Sequence, residues 1–176
     1  NKFEPTSQCT SGLEIFNFPN LLSSSGQNIN LEVWDTAGQE KYDSLVGSFF
    51  RKCQVCVLVC SQDSKSSIDN IPKWYEKVTQ QTKCRFIFVV NKSDLPLGEG
   101  VNDEFINEII NGISDETKGL KIYTSALTGD NITELFDLII NMDFTNSSEK
   151  SDIKPVQVKE EKNKPARRWY SFLTSC

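Results

Sequence analysis

An α/β fold built on a mainly parallel sheet is predicted by three features of the sequence. Two continuous apolar runs, "QVCVLVC" (residues 54–60) and "CRFIFVV" (residues 84–90), read as strands covered on both faces. Each is followed by a segment whose apolar residues recur at helical spacing. Two alternating segments stand ahead of them, as expected of an antiparallel hairpin at one edge of the sheet.

The elements follow in order. "LEIFNF" (residues 13–18) predicts a strand, "LLSSSGQN" (21–28) a polar turn, and "INLEVW" (29–34) the partner strand, making a hairpin with a long loop. After the run at 54–60, Ile68, Ile71, Trp74, Tyr75 and Val78 predict one helix. After the run at 84–90, Val101, Phe105, Ile106, Ile109, Ile110 and Ile113 predict another. "LKIYTS" (120–125) reads as a short strand. Asn131 with Glu134 predicts a capping box for the last helix, whose inner face is Ile132, Leu135, Phe136, Ile139 and Ile140. From about Thr145 the pattern dissolves into Asn, Ser, Lys and Glu, so a disordered tail over 145–176 is expected behind a single domain over 1–144.

Bulk properties narrow the classes. The chain has 176 residues, which suits one domain, and its 38% hydrophobic content suffices for a core. It contains no apolar run of membrane-spanning length and nothing that reads as a secretory leader. It starts at Asn1 in mid-motif, so a fragment or a truncated gene product is expected. The net charge of −5 gives no general attraction to nucleic acid. The charge is uneven: residues 1–145 carry 12 basic and 20 acidic side chains, residues 146–176 carry 7 and 4. A basic tail on an acidic body suits a protein that visits anionic membranes. Among six cysteines, Cys53 and Cys56 form a C-x-x-C, a spacing used in metal and redox sites. Cys56 and Cys60 fall within a strand-like run, where reduced Cys acts as a small apolar residue, so a cytosolic, reduced protein is expected. The absence of His removes His-based zinc sites and His general bases.

In a sheet of this class the ligand sits at the carboxyl ends of the strands, which brings together the loops after Trp34, Val90 and Tyr123. The loop after Val90 is "NKSD". The carboxylate of Asp94 can accept from both nitrogens on one edge of guanine, a pairing adenine does not offer, and a hydrogen bond to a charged group is worth about 1.5–3 kcal/mol. Asn91 can tie neighbouring loops, and the aliphatic stem of Lys92 can lie along the base. The loop after Tyr123 is "TSAL", whose backbone N–H groups at Ser125, Ala126 and Leu127 could meet the guanine carbonyl oxygen. The loop after Trp34 is "DTAGQE": Asp35 can hold Mg²⁺, Gly38 lets a backbone N–H approach a terminal phosphate, and Gln39 can orient an attacking water.

With these motifs in this order, the chain resembles the Ras superfamily of small GTPases, and within it the Rab branch. "WDTAGQEKYDSL" resembles the second switch, "FFRKC" the segment after it, "NKSD" and "TSAL" the guanine-reading loops, and "FEPT" (residues 3–6) the first switch. The resemblance covers about residues 1–143 and implies a P-loop NTPase-type small G domain. It also implies GTP/GDP and Mg²⁺ as ligands, with Thr6 and Asp35 on the metal, Gly38 sensing the γ-phosphate and Gln39 placing the hydrolytic water. Implied partners are an exchange factor, a GTPase-activating protein, an escort or dissociation-inhibitor type protein and effectors, met by a monomer that binds no nucleic acid. The implied role is in vesicle-mediated transport on the cytosolic face of an intracellular membrane. Cys176 would receive the prenyl group, supported by Lys162, Lys164, Arg167 and Arg168, because one lipid chain anchors only reversibly.

The chain departs from the family in several places. Ser7-Gln8 stands where Ile-Gly is usual after the first switch, the hairpin loop is longer, and Leu127 stands where Rab proteins carry Lys. The sequence contains no G-x-x-x-x-G-K-[ST], and the family's first strand, which lies centrally between the strands at 29–34 and 54–60, is expected to be missing. A polypeptide of these residues alone is therefore expected to bind GTP poorly. Two alternatives stay open: a degenerate, nucleotide-free interaction module, and a Ras-like signalling GTPase without a role in traffic.

Overall fold

The computed structural model describes residues 13–36, 50–51, 53–113 and 120–142. In chain order its elements are β1 (Leu13–Leu22), β2 (Asn28–Thr36), β3 (Val55–Ser61), α1 (Lys65–Asp69), α2 (Ile71–Thr79), β4 (Arg85–Asn91), α3 (Asp103–Ile113), β5 (Leu120–Tyr123) and α4 (Ile132–Ile140). The α/β class and the parallel sheet agree with expectation. The Thr6, Gly38, Gln39 and Cys176 sites and the tail after Thr145 lie outside the described residues.

Strand β4 shows why its sequence is apolar from Phe86 to Val90. It lies in the middle of a parallel sheet of order β3-β4-β5, with Val55 opposite Arg85 and Val90 opposite Tyr123. Phe86, Phe88 and Val90 enter the core under α1, α2 and α3, beside Ile68, Ile71, Val78, Ile106 and Ile110. Ile87 and Val89 enter the opposite core with Ile132, Leu135 and Ile139 of α4. Both faces of the strand are covered, so every second-residue alternation with a polar side chain is ruled out. Each such side chain contributes about 1.5–3 kcal/mol through burial. Strand β3 is less deeply covered: Leu58 and Cys60 are buried, whereas Val55, Cys56, Val57 and Val59 are half-buried.

Helical periodicity from Ile68 to Val78 predicts one helix, and the structure has two. Pro72 stands at the start of α2, where its missing N–H cannot donate to Ile68 and its ring excludes the preceding turn. The chain therefore breaks at Asn70, whose N–H closes α1 on the carbonyl of Ile68. Ser64 caps α1, its hydroxyl accepting from the N–H of Ser67. The strands also extend beyond their expected ends: β1 includes Leu21 and Leu22, β2 runs through Asp35 to Thr36, and the turn shrinks to about Ser23–Gln27, with Gly26 at φ 79°. Its register shifts between Phe18 and Leu21, where Pro19 has no N–H to give and Asn20 is left-handed.

The hairpin and the parallel strands do not form the single sheet that alternation of strands and helices predicts. Among the described residues, β1 and β2 pair only with each other, and no ladder joins β2 to β3. The slot between these two is where the family resemblance places a central strand. Other contacts hold the hairpin nearby. Leu31 packs against the α4-side core, and the N–H and hydroxyl of Ser24 both donate to Asn141 Oδ1 at 2.6 and 2.7 Å.

Candidate functional site

Two loops at the carboxyl ends of β4 and β5 are joined into one body. Asn91, the last residue of β4, is 2% exposed. Its Oδ1 accepts from the hydroxyl of Thr124 and from the backbone N–H of Ala126, each at 3.2 Å. The backbone adds two more ties, Thr124 N–H to the Val90 carbonyl and Ser93 N–H to the Thr124 carbonyl, both 2.9 Å. A buried amide that bridges segments 33 and 35 residues apart sets their separation, because a buried polar group keeps its partners.

Asp94 stands at the exposed tip of this body, and one of its carboxylate oxygens accepts from Ser125 Oγ. Ser125 is fully buried, and its hydroxyl oxygen also accepts from the N–H of Thr128 at 3.1 Å. The acid is thus held by a fixed hydroxyl at an exposed position. Lys92 adopts φ 60°, the left-handed region that a side chain enters at a cost of about 1–2 kcal/mol. Its ammonium lies 3.5 Å from Asp63 Oδ2, in the loop after β3. Hydrogen bonding from Ser61, and then the Lys92 charge, hold the Asp63 carboxyl below its ordinary value.

The expectation for "TSAL" is narrowed. Ser125 N–H donates to the Asp130 carbonyl at 3.1 Å and Ala126 N–H to Asn91. Either would have to leave its partner, or share its proton, to meet a ligand carbonyl. Leu127 is 56% exposed beside them. The expected capping box at Asn131 is not formed: Asn131 is left-handed, makes no side-chain cap, and instead donates from Nδ2 to the Tyr123 carbonyl at 2.8 Å. It braces the loop rather than the helix. Asp35 is 3% exposed and lies inside β2 rather than after it, on the separate hairpin sheet opposite Glu14. The site therefore unites Asn91, Lys92, Asp94, Ser125 and Ala126, with Asp35 on another element.

Sequence reasoning did not single out the supporting loop after β3. Gln62 donates from its backbone to the Asn91 carbonyl at 3.0 Å and from Nε2 to the Leu95 carbonyl. Gly98 donates to the Gln62 carbonyl at 3.0 Å and presses against the Asp63 backbone so closely that a Cβ would collide with it. A Gly between Pro96 and Glu99 was the one local signal of this approach.

A profile of the Ras family matches residues 1–143. The chain belongs to the Ras family. Ras-family proteins bind GTP and GDP with Mg²⁺ and hydrolyse GTP. The relatives of this Ras-family chain are Rab-related. Ras-related protein Rab-27B of Homo sapiens is 29% identical over 154 residues, 81% of this chain and 68% of that protein. Ras-related protein Rab-4 of Dictyostelium discoideum is 33% identical over 138 residues, 77% of this chain and 64% of that protein. Ras-related protein Rab-27A of Rattus norvegicus is 30% identical over 130 residues, 72% of this chain and 57% of that protein. The chain spans about half to two thirds of the length of the curated relatives it matches. Among the described residues, no helix is long and apolar enough to cross a membrane.

Proposed function

We propose that the intact gene product is a Rab-type molecular switch that binds and hydrolyses GTP in vesicle-mediated transport. The observation that carries this reading is the joined pair of loops, with an exposed carboxylate, Asp94, oriented by the buried Ser125 hydroxyl. Asp94 accepts from the ring N–H and the exocyclic amine of guanine, Lys92 lies along the base with its ammonium steadied by Asp63, and Asn91 holds the two loops at the right separation. The hard oxygen donors of Asp35 and Thr6 suit Mg²⁺, which supplies neutralisation of phosphate charge when bound. Gln39 orients the water that attacks the γ-phosphate, and Gly38 gives its N–H to that phosphate, coupling it to the order of the switch segments. Cys176 takes a prenyl chain, with the basic and aromatic residues before it as the second membrane signal.

The test compares GDP with IDP, which lacks the exocyclic amine. The intact protein is expected to prefer GDP by about tenfold or more, the worth of one hydrogen bond to a charged acceptor. In Asp94→Asn the Ser125 hydroxyl still has an oxygen to donate to, so the loop persists, but the second acceptor becomes an N–H donor. That variant is expected to lose the preference. Equal binding of the two nucleotides by the unmodified protein would overturn the assignment of Asp94. Localising the tagged protein separates traffic from signalling: residence on a vesicular organelle, lost on Cys176→Ser, is the expected result.

A further inference from the structure

Helices α2 and α3 cover the same core, and between them runs an open groove of about 560 Å³. Its walls include Tyr75 and Glu76 of α2, and Glu108, Ile109, Gly112 and Ile113 of α3, each set one face of its helix. Tyr75, Ile109 and Ile113 are half-buried and pack on the core beneath, so they make an apolar floor. Glu76 and Glu108 are exposed, one on each wall. No Lys or Arg of the described residues lines the groove, and α3 carries Asp103, Glu104 and Glu108 with no basic side chain. On α2, Lys77 is turned onto the Trp74 ring, 4.6 Å from its centroid.

Gly112 adds an open notch. It is helical rather than a left-handed cap, and in a helix interior Gly is about 1 kcal/mol less favourable than Ala. A Cβ at this position would meet nothing within 4 Å. Packing among the described residues therefore does not call for the missing side chain, and the space above it is open to a guest.

We propose that this groove is the intramolecular docking site of residues 162–173, "KNKPARRWYSFL". The segment matches the groove in both respects. Lys162, Lys164, Arg167 and Arg168 meet walls that bear only acidic charge, and Trp169, Tyr170, Phe172 and Leu173 offer large apolar groups to the floor and the notch. Exposed ion pairs are weak singly, so the aromatic contact does the holding and the charges set the direction. The segment also reaches. Met142 follows α4, which packs on the other face of the sheet from the groove. The 20 residues from 143 to 162 span up to about 65–70 Å when extended. A domain of about 140 residues has a radius of gyration of only about 14 Å. A tether of this kind presents its end at about millimolar effective concentration, which lets a shallow groove be filled by the chain's own segment. Docking needs no nucleotide, so its failure would leave the reading of Asp94 untouched.

The experiment treats the full-length protein with a water-soluble carbodiimide, which joins carboxylates to lysines in direct contact, and maps the crosslinked peptides by mass. An equal mixture of light and nitrogen-15 protein separates links within one chain from links between copies. The expected result is Lys162 or Lys164 joined to Glu76 or Glu108 within one chain, with the yield falling about fivefold or more in about 0.5 M NaCl. Gly112→Leu fills the notch without an internal collision and should lose these links while its thermal midpoint is unchanged or raised. Should that midpoint fall, Arg167→Glu with Arg168→Glu decides in the segment itself, by the same loss with both lysines retained. Links only between light and heavy copies would place a second copy's segment in the groove and overturn the proposal. So would lysines joined only to carboxylates elsewhere, such as Glu32 or Asp137, no groove links at all, or groove links undiminished in either variant.

Discussion

Replacing Asn91 by Ala is expected to be among the most damaging single changes in the molecule. Its Oδ1 is the acceptor for two donors, the Ala126 N–H and the Thr124 hydroxyl, each at 3.2 Å. Thr124 is fully buried and Ala126 is 4% exposed, so water does not readily replace the lost oxygen. An unsatisfied buried N–H costs about 1–3 kcal/mol. The hydroxyl rotates to other acceptors, so its share is the net value of one bond, about 0.5–1.5 kcal/mol. The total of about 1.5–4.5 kcal/mol is a large part of the roughly 5–15 kcal/mol that holds a domain of this kind together. With a urea slope of about 2 kcal/mol/M, the unfolding midpoint should fall by about 1–2 M. Tryptophan fluorescence of the full-length protein in urea measures it, since Trp34 and Trp74 lie in different elements. Thr124→Val removes the hydroxyl alone, and a double-mutant cycle with Asn91→Ala should return a coupling of about 0.5–1.5 kcal/mol. A midpoint shift below roughly 0.3 M, or zero coupling, would show that the amide does not brace the two loops.

Further expectations follow from neighbouring contacts. Lys92 sits at φ 60°, so Lys92→Gly should be more stable than Lys92→Ala by about 1 kcal/mol, since both lose the half-exposed Asp63 pairing but only Gly relieves the backbone; equal thermal midpoints would refute the strain. Gly98→Ala drives a methyl group into the Asp63 backbone and should cost about 1–3 kcal/mol, with weaker guanine-nucleotide binding because the "NKSD" loop rides on the same contact; unchanged binding and stability would remove that loop from the site. The Asp63 carboxyl is held below its ordinary value of 3.8 by Ser61 and then Lys92. A lowered folded-state value stabilises above the unfolded value and is lost as the pH falls through the folded one. The stability gap between the unmodified protein and Ser61→Ala should therefore be constant from pH 8 to about pH 5 and close below about pH 4, and a gap that widens in acid contradicts this origin.

Much of the candidate site was legible because its chemistry is local in the chain. "NKSD" carries an amide, a cation and a carboxylate in four residues, and the strand before it declares itself by a run of apolar side chains that only double coverage explains. The element types were legible for the same reason, since period 2 and period 3.6 are written among near neighbours. Their edges were not. Pro72 broke a helix whose periodicity continued through the break, and Asn131 left its expected cap to brace a carbonyl eight residues back.

The sequence by itself determined the class of fold, the two loops proposed to read guanine, and the family. Only the tertiary structure decided that Asn91 bonds Ala126, that Ser125 steers Asp94, and that Asp63 meets Lys92. Steric preference and hydrophobic period act over a few residues, whereas which distant groups meet depends on ladder register and on helices closing over both faces of β4. A register is a property of two strands together, and neither strand's sequence contains it alone.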